Sequence, residues 1–356
     1  MTTTRAPSQA RWQLAIALAV LTGAYAAARA WHEPAWPTDF DQIWFAARAL
    51  LHGQDPYSVV GPGRAFQWNW PLYYPLPAVL LAVPFAWMPV VVARVAFSTV
   101  SAAVLGWALG PRLLSRWPMI LSAAYIIATS RTQWALLLLA VTWAPVVGFV
   151  VTAKPNVGAA ALAALDRRGL LIALAGCALL GVLSVAVRPD WIGHWREAIA
   201  TSPHILSTVL LPGGFLLALA ALRWRRPDAR LLLALACVPH TPSLYDVLLL
   251  FFVCQTTREA LVLALLTHSL YWGIVFFGSF PTFDLYAAGL GKAAVWLVYV
   301  PALVMVLKKP NDASIEGPAP RRWRDVLPMT HLDITLCAAL VLAAIMLVWL
   351  PLATYR

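Results

Sequence analysis

Long apolar stretches make up most of the chain, and short polar stretches separate them. Thirteen apolar segments can be delimited, at roughly residues 12–30, 74–91, 92–110, 117–128, 134–151, 156–165, 169–187, 204–222, 230–239, 244–256, 258–278, 285–307 and 331–352. A membrane-spanning helix needs about 20 such residues. The segments 117–128, 156–165, 230–239 and 244–256 are shorter, which predicts half-helices or broken helices that are buried in protein or line a wet cavity. We therefore expect an all-α polytopic membrane protein with about 10 to 13 transmembrane or re-entrant helices.

The polar stretch after the first apolar segment has a different pattern. Its apolar residues recur at helical spacing on one face, at Phe40, Ile43, Trp44, Ala47, Leu50 and Leu51, and its polar residues fall on the other, at Asp41, Gln42, Arg48 and His52. This predicts an amphipathic helix over residues 39–52, capped by Thr38 or Asp39 and ended by Gly53 and Pro56. We expect it to lie in the membrane interface with its polar face toward water.

Composition supports the membrane assignment. Of the 356 residues, 61% are hydrophobic and 12% are charged, whereas about 25% charged is usual in a soluble domain. We predict a single integral membrane domain over residues 1–356, with a first outer loop at 31–73 and a basic cytoplasmic loop at 308–330. The first apolar segment is predicted to be an uncleaved signal anchor. All four cysteines fall in apolar segments, which predicts buried thiols rather than a disulfide framework or a metal site.

The net charge of +11 raises the question of nucleic-acid binding, and the positions of the basic residues answer it. If the N-terminus is cytoplasmic and every segment crosses, 16 of the 26 Lys and Arg residues lie in inner loops. The inner set then includes Arg94 and Arg131, and the outer set includes Arg112, Arg116 and Lys154. Such a bias is usual for membrane topology. We therefore expect no nucleic-acid partner, and we expect the basic loop to contact anionic membrane lipids.

Candidate chemistry lies on the predicted outer side. Eight carboxylates are assigned there, namely Glu33, Asp39, Asp41, Asp55, Asp190, Glu197, Asp246 and Asp284. Ionisable groups near membrane depth are costly and commonly functional, so their convergence predicts one outward-facing cavity. Each also has a structural interpretation. Asp39 would cap the helix, Asp41 would be a solvated residue, and Asp55 would form a turn.

Several motifs resemble those of one enzyme family. The series Asp39-Phe40, Ala46-Ala47-Arg48, Leu51, Gly53, Asp55-Pro56-Tyr57 and Tyr74-Pro75-Leu76-Pro77 resembles the first outer loop of glycosyltransferase family 87. That family contains polyprenol-phosphate-mannose-dependent mannosyltransferases of the C-type glycosyltransferase superfamily. Lys154-Pro155-Asn156 is similar to the family's Lys-Pro-Gln, Thr132-Gln133 to its Gly-Gln, and Ser243-Leu244-Tyr245-Asp246 to its late Tyr-Asp motif. The similarity extends over roughly residues 12–260.

The resemblance implies a membrane enzyme whose site lies at the outer leaflet. We expect an integral protein of a bacterial inner (cytoplasmic) membrane, with its N-terminus cytoplasmic and its site facing the periplasm. Its donor would be a hexose, mannose by family precedent, on a polyprenyl phosphate, and its acceptor a lipid or cell-envelope glycan. Asp39 matches the family's catalytic base, and Asp41 is the substitute. Because a phosphate ester leaves readily, one carboxylate can suffice, with inversion at the anomeric carbon and without a metal or other cofactor.

Further roles follow from the same resemblance and from charge. The donor phosphate would be bound by Arg48, Lys154, Arg188 and His240. The substrates would also contact Tyr57, Tyr74, Asn156, Tyr245 and Asp246, and a sugar ring could stack on Trp68, Trp70, Trp191 or Trp195. Each group also has a structural interpretation. Arg48 and Lys154 would be interfacial cations, and His240 would be an interfacial histidine bonded to backbone. Tyr245 and Asp246 would contact a neighbouring helix, and the tryptophans would form an interfacial belt.

Two alternatives to an enzyme stay open. Asn156 and Thr132 depart from the family's Gln and Gly, and the helices between 117 and 165 are short. Such changes would also suit a catalytically inactive accessory subunit that keeps the fold within a membrane complex. A lipid or solute transporter is the third hypothesis. It would be favoured by an internal repeat or by a second, inward-facing polar cluster, and the sequence shows neither.

Overall fold

The computed structural model describes residues 8–33, 36–203, 205–240, 244–312 and 330–349. The described chain is mostly helical, which agrees with an all-α polytopic membrane protein. The α-helices are α1 Ser8–His32, α2 Asp39–Leu51, α3 Pro56–Val59, α4 Leu76–Ala86, α5 Val90–Leu109, α6 Leu113–Arg116, α7 Ala123–Ser130, α8 Ala135–Val141, α9 Pro155–Ala163, α10 Arg167–Val187, α11 Trp191–Ala200, α12 Pro227–Cys237, α13 Thr257–Phe277, α14 Phe283–Ala294, α15 Val300–Leu307 and α16 His331–Trp349.

Tighter helical segments and one small sheet complete the secondary structure. The 3₁₀ segments are Gly110–Arg112, Trp117–Leu121, Pro145–Ala153, Thr208–Leu210, Gly214–Arg223 and Asp246–Phe252, and a π-helical turn, Val295–Tyr299, joins α14 to α15. Two short strands between α3 and α4, β1 Val60–Gly61 and β2 Phe66–Gln67, pair in parallel with Val60 opposite Phe66. Most of the predicted basic loop at 308–330 lies outside the described residues.

Only some of the apolar segments form helices that are long enough to cross a membrane alone. Among the described residues these are Gln9–His32, Val90–Leu121, Arg167–Val187, Thr257–Phe277 and Phe283–Leu307, and a sixth results if α7 and α8, bent by 119°, count as one span. The expectation of about 10 to 13 helices is larger than this number because it counted transmembrane and shorter re-entrant helices together. The four segments predicted to be broken or half-length do contain short elements, such as α9 with 9 residues and α12 with 11.

Helices α1 and α5 form a close antiparallel pair that defines the two ends of the molecule. A Cβ added to Gly106 would lie 2.9 Å from the Cα of Ala15, and one added to Gly23 would lie 2.6 Å from Thr99 Oγ1. Because Gly110 lies against Arg11, we call that extremity the Arg11 end. The opposite extremity carries the last turn of α1 and the whole of α2, and we call it the Asp39 end.

The basic residues between α4 and α8 occupy the opposite ends from those predicted by counting segments. Arg94 pairs with Asp41 of α2 and Arg131 lies over the ring of Trp36, so both lie at the Asp39 end. Arg112 and Arg116 follow Gly110 at the Arg11 end. Two apolar segments that segment counting treats as spans do not run from one end of the molecule to the other. Residues 74–91 contain only the 11-residue α4, and 134–151 breaks after Val141.

Because two predicted crossings are absent, the predicted and observed ends agree again at Lys154. The chain from Asp39 to Arg94 stays at one end, as shown by Trp44 Nε1, which donates to the carbonyl of Met88 at 3.2 Å. The chain then turns back between α8 and the 3₁₀ segment Pro145–Ala153, so Lys154 lies at the Asp39 end as predicted. From α10 onward the predicted sides agree with the structure.

Helix α2 is packed into the bundle rather than lying on its surface. The ring of Phe40 stacks on Phe97 of α5 at 4.5 Å, and the buried Trp134 meets Phe97 edge-on at 4.9 Å. Asp41 and Gln42 are buried, which contradicts the prediction that they face water. The reason is that α4 and α5 fold over α2, and Arg94 neutralises the carboxylate of Asp41.

Candidate functional site

Asp39 is the first residue of α2 and the centre of a polar cluster at the Asp39 end. Thr38 begins the helix, since its backbone N–H and hydroxyl both bond the carboxylate of Asp41. The side chain of Asp39 is therefore not needed as the cap. Its Oδ2 accepts a hydrogen bond from Gln133 Nε2 and a longer one, 3.4 Å, from the hydroxyl of Tyr245. Among the described residues, no group donates to Asp39 Oδ1, so that oxygen is available to a substrate.

The sharp bend between α7 and α8 brings Gln133 to Asp39. Thr132 forms this bend with φ 54°, and it is the one described residue other than glycine with a positive φ. A β-branched residue is strained in this left-handed region, whereas glycine is not. The resemblance implied a glycine before Gln133, and the conformation found here is the one that glycine adopts easily.

A buried ion pair forms the other wall of the cluster. Lys154 Nζ donates to Asp246 Oδ1 at 2.6 Å, and the ammonium group lies 4.7 Å from the centre of the Tyr245 ring. Lys154 ends the 3₁₀ segment Pro145–Ala153 before Pro155 begins α9, and Asp246 begins the 3₁₀ segment Asp246–Phe252. Three motifs that are distant in sequence, at 39, 154 and 245–246, thus meet at one place.

Two acceptor atoms in this cluster have no partner within the described chain. They are Gln133 Oε1 and Asp246 Oδ2, and both residues are almost completely buried. A buried acceptor without a donor costs about 1 to 3 kcal/mol. Their position beside Asp39 therefore suits a ligand that supplies hydroxyl donors.

Burial dominates the electrostatics of Asp39. Desolvation raises the pKa of its carboxyl group, and the charges of Arg131 and Lys154 and the hydrogen bonds from Gln133 and Tyr245 oppose this rise. The pKa of the neighbouring Tyr74 is also raised, first by burial and then by the charges of Asp39 and Asp246. Asp39 is thus a better proton acceptor, when ionised, than an ordinary exposed aspartate.

Asp41 does not join this cluster and is structural. Its two oxygens accept hydrogen bonds from Arg94 Nε at 2.8 Å and Nη2 at 2.5 Å, in addition to those from Thr38. All its strong acceptor positions are therefore in use. The structure gives Asp41 no free oxygen with which to replace Asp39 as a base.

Arg188 belongs to a second, half-exposed cluster in the loops at the Asp39 end. Its guanidinium group lies 3.3 Å from Asp190 and 3.8 Å from Asp55, and His194 Nδ1 lies 3.1 Å from Asp55. Asp55 also caps α3 by accepting from the N–H of Tyr57 at 3.1 Å, so it forms a turn as predicted. The hydroxyl of Tyr57 donates to the carbonyl of Tyr74 at 3.2 Å, and this bond connects the second cluster to the first.

His240 and Asn156 are engaged within the protein. His240 Nδ1 lies 2.9 Å from the carbonyl of Val238, and Nε2 lies 3.0 Å from the hydroxyl of Tyr299. Nδ1 must carry the proton to donate to a carbonyl, and burial lowers the pKa of the ring, which favours this neutral form. Neither nitrogen is therefore free to bind the donor phosphate as predicted. Asn156 Nδ2 donates to the carbonyl of Pro239 at 2.9 Å and positions the same loop.

The remaining predicted contacts lie apart from Asp39. Arg48 is exposed, and its guanidinium carbon lies 5.0 Å from the centre of the Trp44 ring. Trp191 and Trp195 pack on each other at 5.9 Å, and Trp195 Nε1 donates to the carbonyl of Tyr73. The other two tryptophans pack on aromatic neighbours, Trp68 on Phe66 and Trp70 on Tyr73 and Phe283.

A polar cluster of a different kind lies at the Arg11 end. Arg226 pairs with the buried Asp228 at 3.0 Å, and Lys309 Nζ donates to the carbonyl of Val253 at 2.6 Å. Arg223 and Arg230 donate to carbonyls at the ends of α15 and α9, respectively. These groups connect helix ends that face the same side of the bundle.

Sequence reasoning missed two residues of the Asp39 cluster. Gln133 enters the sequence-based prediction only within the Thr132-Gln133 motif, and segment counting places Arg131 at the Arg11 end. The signal was present, since Arg131-Thr132-Gln133 is a polar triplet between two short apolar runs. Such a triplet predicts a re-entrant turn when the flanking runs are too short to cross.

Comparison of the chain with known proteins supplies no relative. Among the described residues, there is no group of three or more His, Cys, Asp and Glu side chains that could hold a metal ion. No model of a protein family, no curated protein and no solved structure matches the chain.

Proposed function

We propose that the protein is a membrane glycosyltransferase that moves a hexose, mannose by family precedent, from a polyprenyl phosphate to a lipid or cell-envelope acceptor. The observation that carries this proposal is the Asp39 carboxylate. Oδ2 accepts hydrogen bonds from Gln133 and Tyr245, whereas Oδ1 accepts none from the described residues. Burial raises the pKa of the carboxyl group. This arrangement is suited to a general base.

The proposed reaction is a single displacement. Asp39 Oδ1 takes the proton of the acceptor hydroxyl while the acceptor oxygen attacks the anomeric carbon. The bond from that carbon to the phosphate oxygen breaks, and the electron pair leaves with the polyprenyl phosphate, so the anomeric centre is inverted. Lys154 and Arg131, whose charges act on Asp39, are the cations that would stabilise the negative charge developing on the phosphate.

The two unpartnered acceptors supply specificity in this proposal. Gln133 Oε1 and Asp246 Oδ2 would each accept a hydrogen bond from a sugar hydroxyl. A site built to bond a hydroxyl rejects an analogue that lacks it, because the buried acceptor is then left unpaired. Deoxy-sugar donors should therefore be poor substrates.

We further propose a C-type glycosyltransferase-like fold in an inner membrane, with the Asp39 end facing outward. Support for the fold comes from the meeting of the Asp39, Lys154 and Tyr245-Asp246 motifs and from the positive φ of Thr132. Support for the orientation comes from the Arg11 end, which is the more basic. It carries Arg11, Arg112, Arg116, Arg167, Arg168, Arg223, Arg225, Arg226, Arg230, Arg258, Lys308 and Lys309.

One observation favours the transporter hypothesis, and it is the polar cluster at the Arg11 end. An inward-facing cluster was the feature that this hypothesis lacked in the sequence. Its members, however, bond one another and helix-end carbonyls, as Arg226 does with Asp228 and Lys309 with Val253. A structural connection between helix ends explains the cluster without a transported solute.

The decisive experiment is a transfer assay with radiolabelled mannosyl polyprenyl phosphate and membrane lipid extract. We expect labelled product from the purified wild type, and a loss of at least about 100-fold in rate for Asp39→Asn because the base is removed. The matched control is Asp284→Asn, which removes an exposed carboxylate from the same end of the protein and should keep full activity. Absence of product from the wild type with mannosyl, glucosyl and arabinosyl donors would instead favour the accessory subunit.

A further inference from the structure

Three exposed arginines form a surface at the Arg11 end of the molecule. Arg167 and Arg168 begin α10, and Arg225 follows the 3₁₀ segment Gly214–Arg223. Within the part of the chain that the structure describes, the side chains of these three residues form no ion pair and no hydrogen bond. We call these three residues the arginine patch. Their charges are available to a ligand.

Arg230 holds the two parts of the arginine patch together. Its Nη2 donates to the carbonyl of Leu165 at 3.3 Å, and its Nη1 donates to the carbonyl of Arg225 at 3.0 Å. Because one guanidinium group bonds both carbonyls, the chain that leads into Arg167 lies beside the chain that carries Arg225. The patch is therefore built by the fold and not by a run of neighbouring residues.

The acidic residues around the arginine patch are already engaged. Asp166 caps α10 by accepting from the N–H of Gly169 at 2.7 Å. Arg226 lies 3.0 Å from Asp228 and 3.8 Å from Asp312. These three acids face eight basic residues in the segments that meet here, so the surface keeps an excess of positive charge. The segments are 163–168, 222–230 and 307–312.

The arginine patch lies at the edge of an apolar surface. Helix α10 is long and apolar enough to span a membrane, and it starts at Arg167. Trp224, next to Arg225, is 62% exposed, and tryptophan is enriched at the level of lipid head groups. Exposed leucines continue along both elements, and they are Leu171 and Leu174 of α10 and Leu219 and Leu222 of the 3₁₀ segment. Cations beside such a surface fit a molecule with an anionic head and apolar tails.

We propose that the arginine patch binds the phosphate of an anionic phospholipid, whose acyl chains lie along the exposed leucines. Arginine suits this task, because its planar guanidinium group binds two phosphate oxygens at once. The site is distinct from the predicted contact of the basic loop with lipid, since Lys309 of that loop is buried and donates to the carbonyl of Val253. The inference does not depend on sugar transfer, and it concerns the opposite end of the molecule from Asp39.

The test measures lipid affinity by native mass spectrometry of the purified protein, titrated with phosphatidylglycerol or phosphatidylcholine. We expect the wild type to prefer phosphatidylglycerol. Arg225→Gln should lower the affinity for this lipid about fivefold and Arg168→Gln/Arg225→Gln about 30-fold, as expected for basic residues near an anionic lipid surface. The matched control is Arg258→Gln, which removes a 62% exposed arginine at the same end and should change nothing. No preference in the wild type, or equal losses in Arg225→Gln and Arg258→Gln, would overturn the proposal.

A second measurement separates a lipid from a soluble anion and controls for misfolding. Phosphatidylglycerol should raise the thermal unfolding midpoint of the wild type, because a ligand of the native state stabilises it. The midpoint of Arg168→Gln/Arg225→Gln in phosphatidylcholine should equal that of the wild type, and phosphatidylglycerol should leave it unchanged. An equal rise in this variant would contradict the site. Millimolar inorganic phosphate should not displace the lipid, and displacement would assign the arginine patch to a soluble anion instead.

Discussion

Asp39 shows how one residue can carry two interpretations that only its contacts separate. At the start of a helix, an aspartate is expected to cap the helix and to remain ionised. Thr38 and Asp41 perform the capping here, and Asp39 is left with a raised pKa and one free oxygen. Its neighbours Gln133 and Tyr245 hold the carboxylate in place but do not neutralise it.

The raised pKa of Asp39 predicts the pH dependence of the proposed transfer reaction. A base must be ionised to accept a proton, so kcat/KM should rise with pH through the pKa of Asp39, above the ordinary aspartate value of about 3.9. Arg131→Gln removes a charge that lowers this pKa, so the acidic limb should move to higher pH. Arg48→Gln, an exposed arginine of α2, should leave it in place. A profile of kcat/KM against pH that is identical in both variants would contradict this electrostatic role.

Thr132 is the clearest case of local strain in the described chain. Its left-handed conformation costs about 1 kcal/mol or more for a β-branched residue, and the bend it makes positions Gln133. We predict that Thr132→Gly raises the free energy of unfolding by about 1 kcal/mol. The measurement is the thermal unfolding midpoint in detergent, with Thr132→Ala as the control that shortens the side chain and keeps most of the strain. A glycine variant that is no more stable than the alanine variant would contradict the strain argument.

Among the helices, α2 has the bounds that its periodic pattern predicts, but part of its polar face is buried instead of facing water. The predicted bounds, 39–52, agree with the observed Asp39–Leu51, and Gly53, with φ +73°, follows the helix end as expected. The buried face, however, includes Asp41 and Gln42 as well as the apolar stripe. Periodicity identifies which residues share a face, but it does not count how many neighbouring elements cover the helix.

The ion pair between Asp41 and Arg94 should stabilise the attachment of α2 to α5. Both side chains are buried, at 3% and 9% exposure, so removing one partner leaves an uncompensated charge. Arg94→Met should therefore destabilise the protein by about 3 to 5 kcal/mol. The double variant Asp41→Asn/Arg94→Met should recover a large part of this loss. A thermal-shift series of the single and double variants measures the coupling, and purely additive effects would show that the pair contributes no interaction.

For the molecule as a whole, the structure changes which segments run from one end of the bundle to the other. Residues 74–91 and 134–151 stay on one side, so the chain between them is inverted relative to simple segment counting. With this correction, the Arg11 end carries 12 of the Lys and Arg residues in the described part of the chain, which is more than half of them, and the Asp39 end carries Asp39 and Asp246. The charge asymmetry between the two ends of the molecule is thus a property of the fold as well as of the sequence.

Cysteine accessibility in intact cells tests this topology. In a background in which the four native cysteines are replaced by serine, single cysteines are introduced at His52, Arg112, Arg131 and Arg258. A membrane-impermeant maleimide added outside should label the positions 52 and 131 and spare 112 and 258 until the membrane is opened. Segment counting predicts the reverse for 112 and 131, so labelling of Arg112→Cys but not of Arg131→Cys from outside would reject the structure-based topology.

The class of the protein, its longest helices and the amphipathic helix α2 could be predicted from the sequence, because these depend on local hydrophobicity and its period. The sequence also singled out Asp39, Lys154, Tyr245 and Asp246, since charges in an apolar chain are conspicuous. Which polar groups meet could be seen only in the three-dimensional fold. Asp41 forms an ion pair with Arg94, His240 forms a hydrogen bond with Tyr299, and Arg188 lies near Asp55. The physical reason is that a pairing between residues distant in sequence depends on which apolar segments cross and which turn back, and segment length alone does not determine that choice.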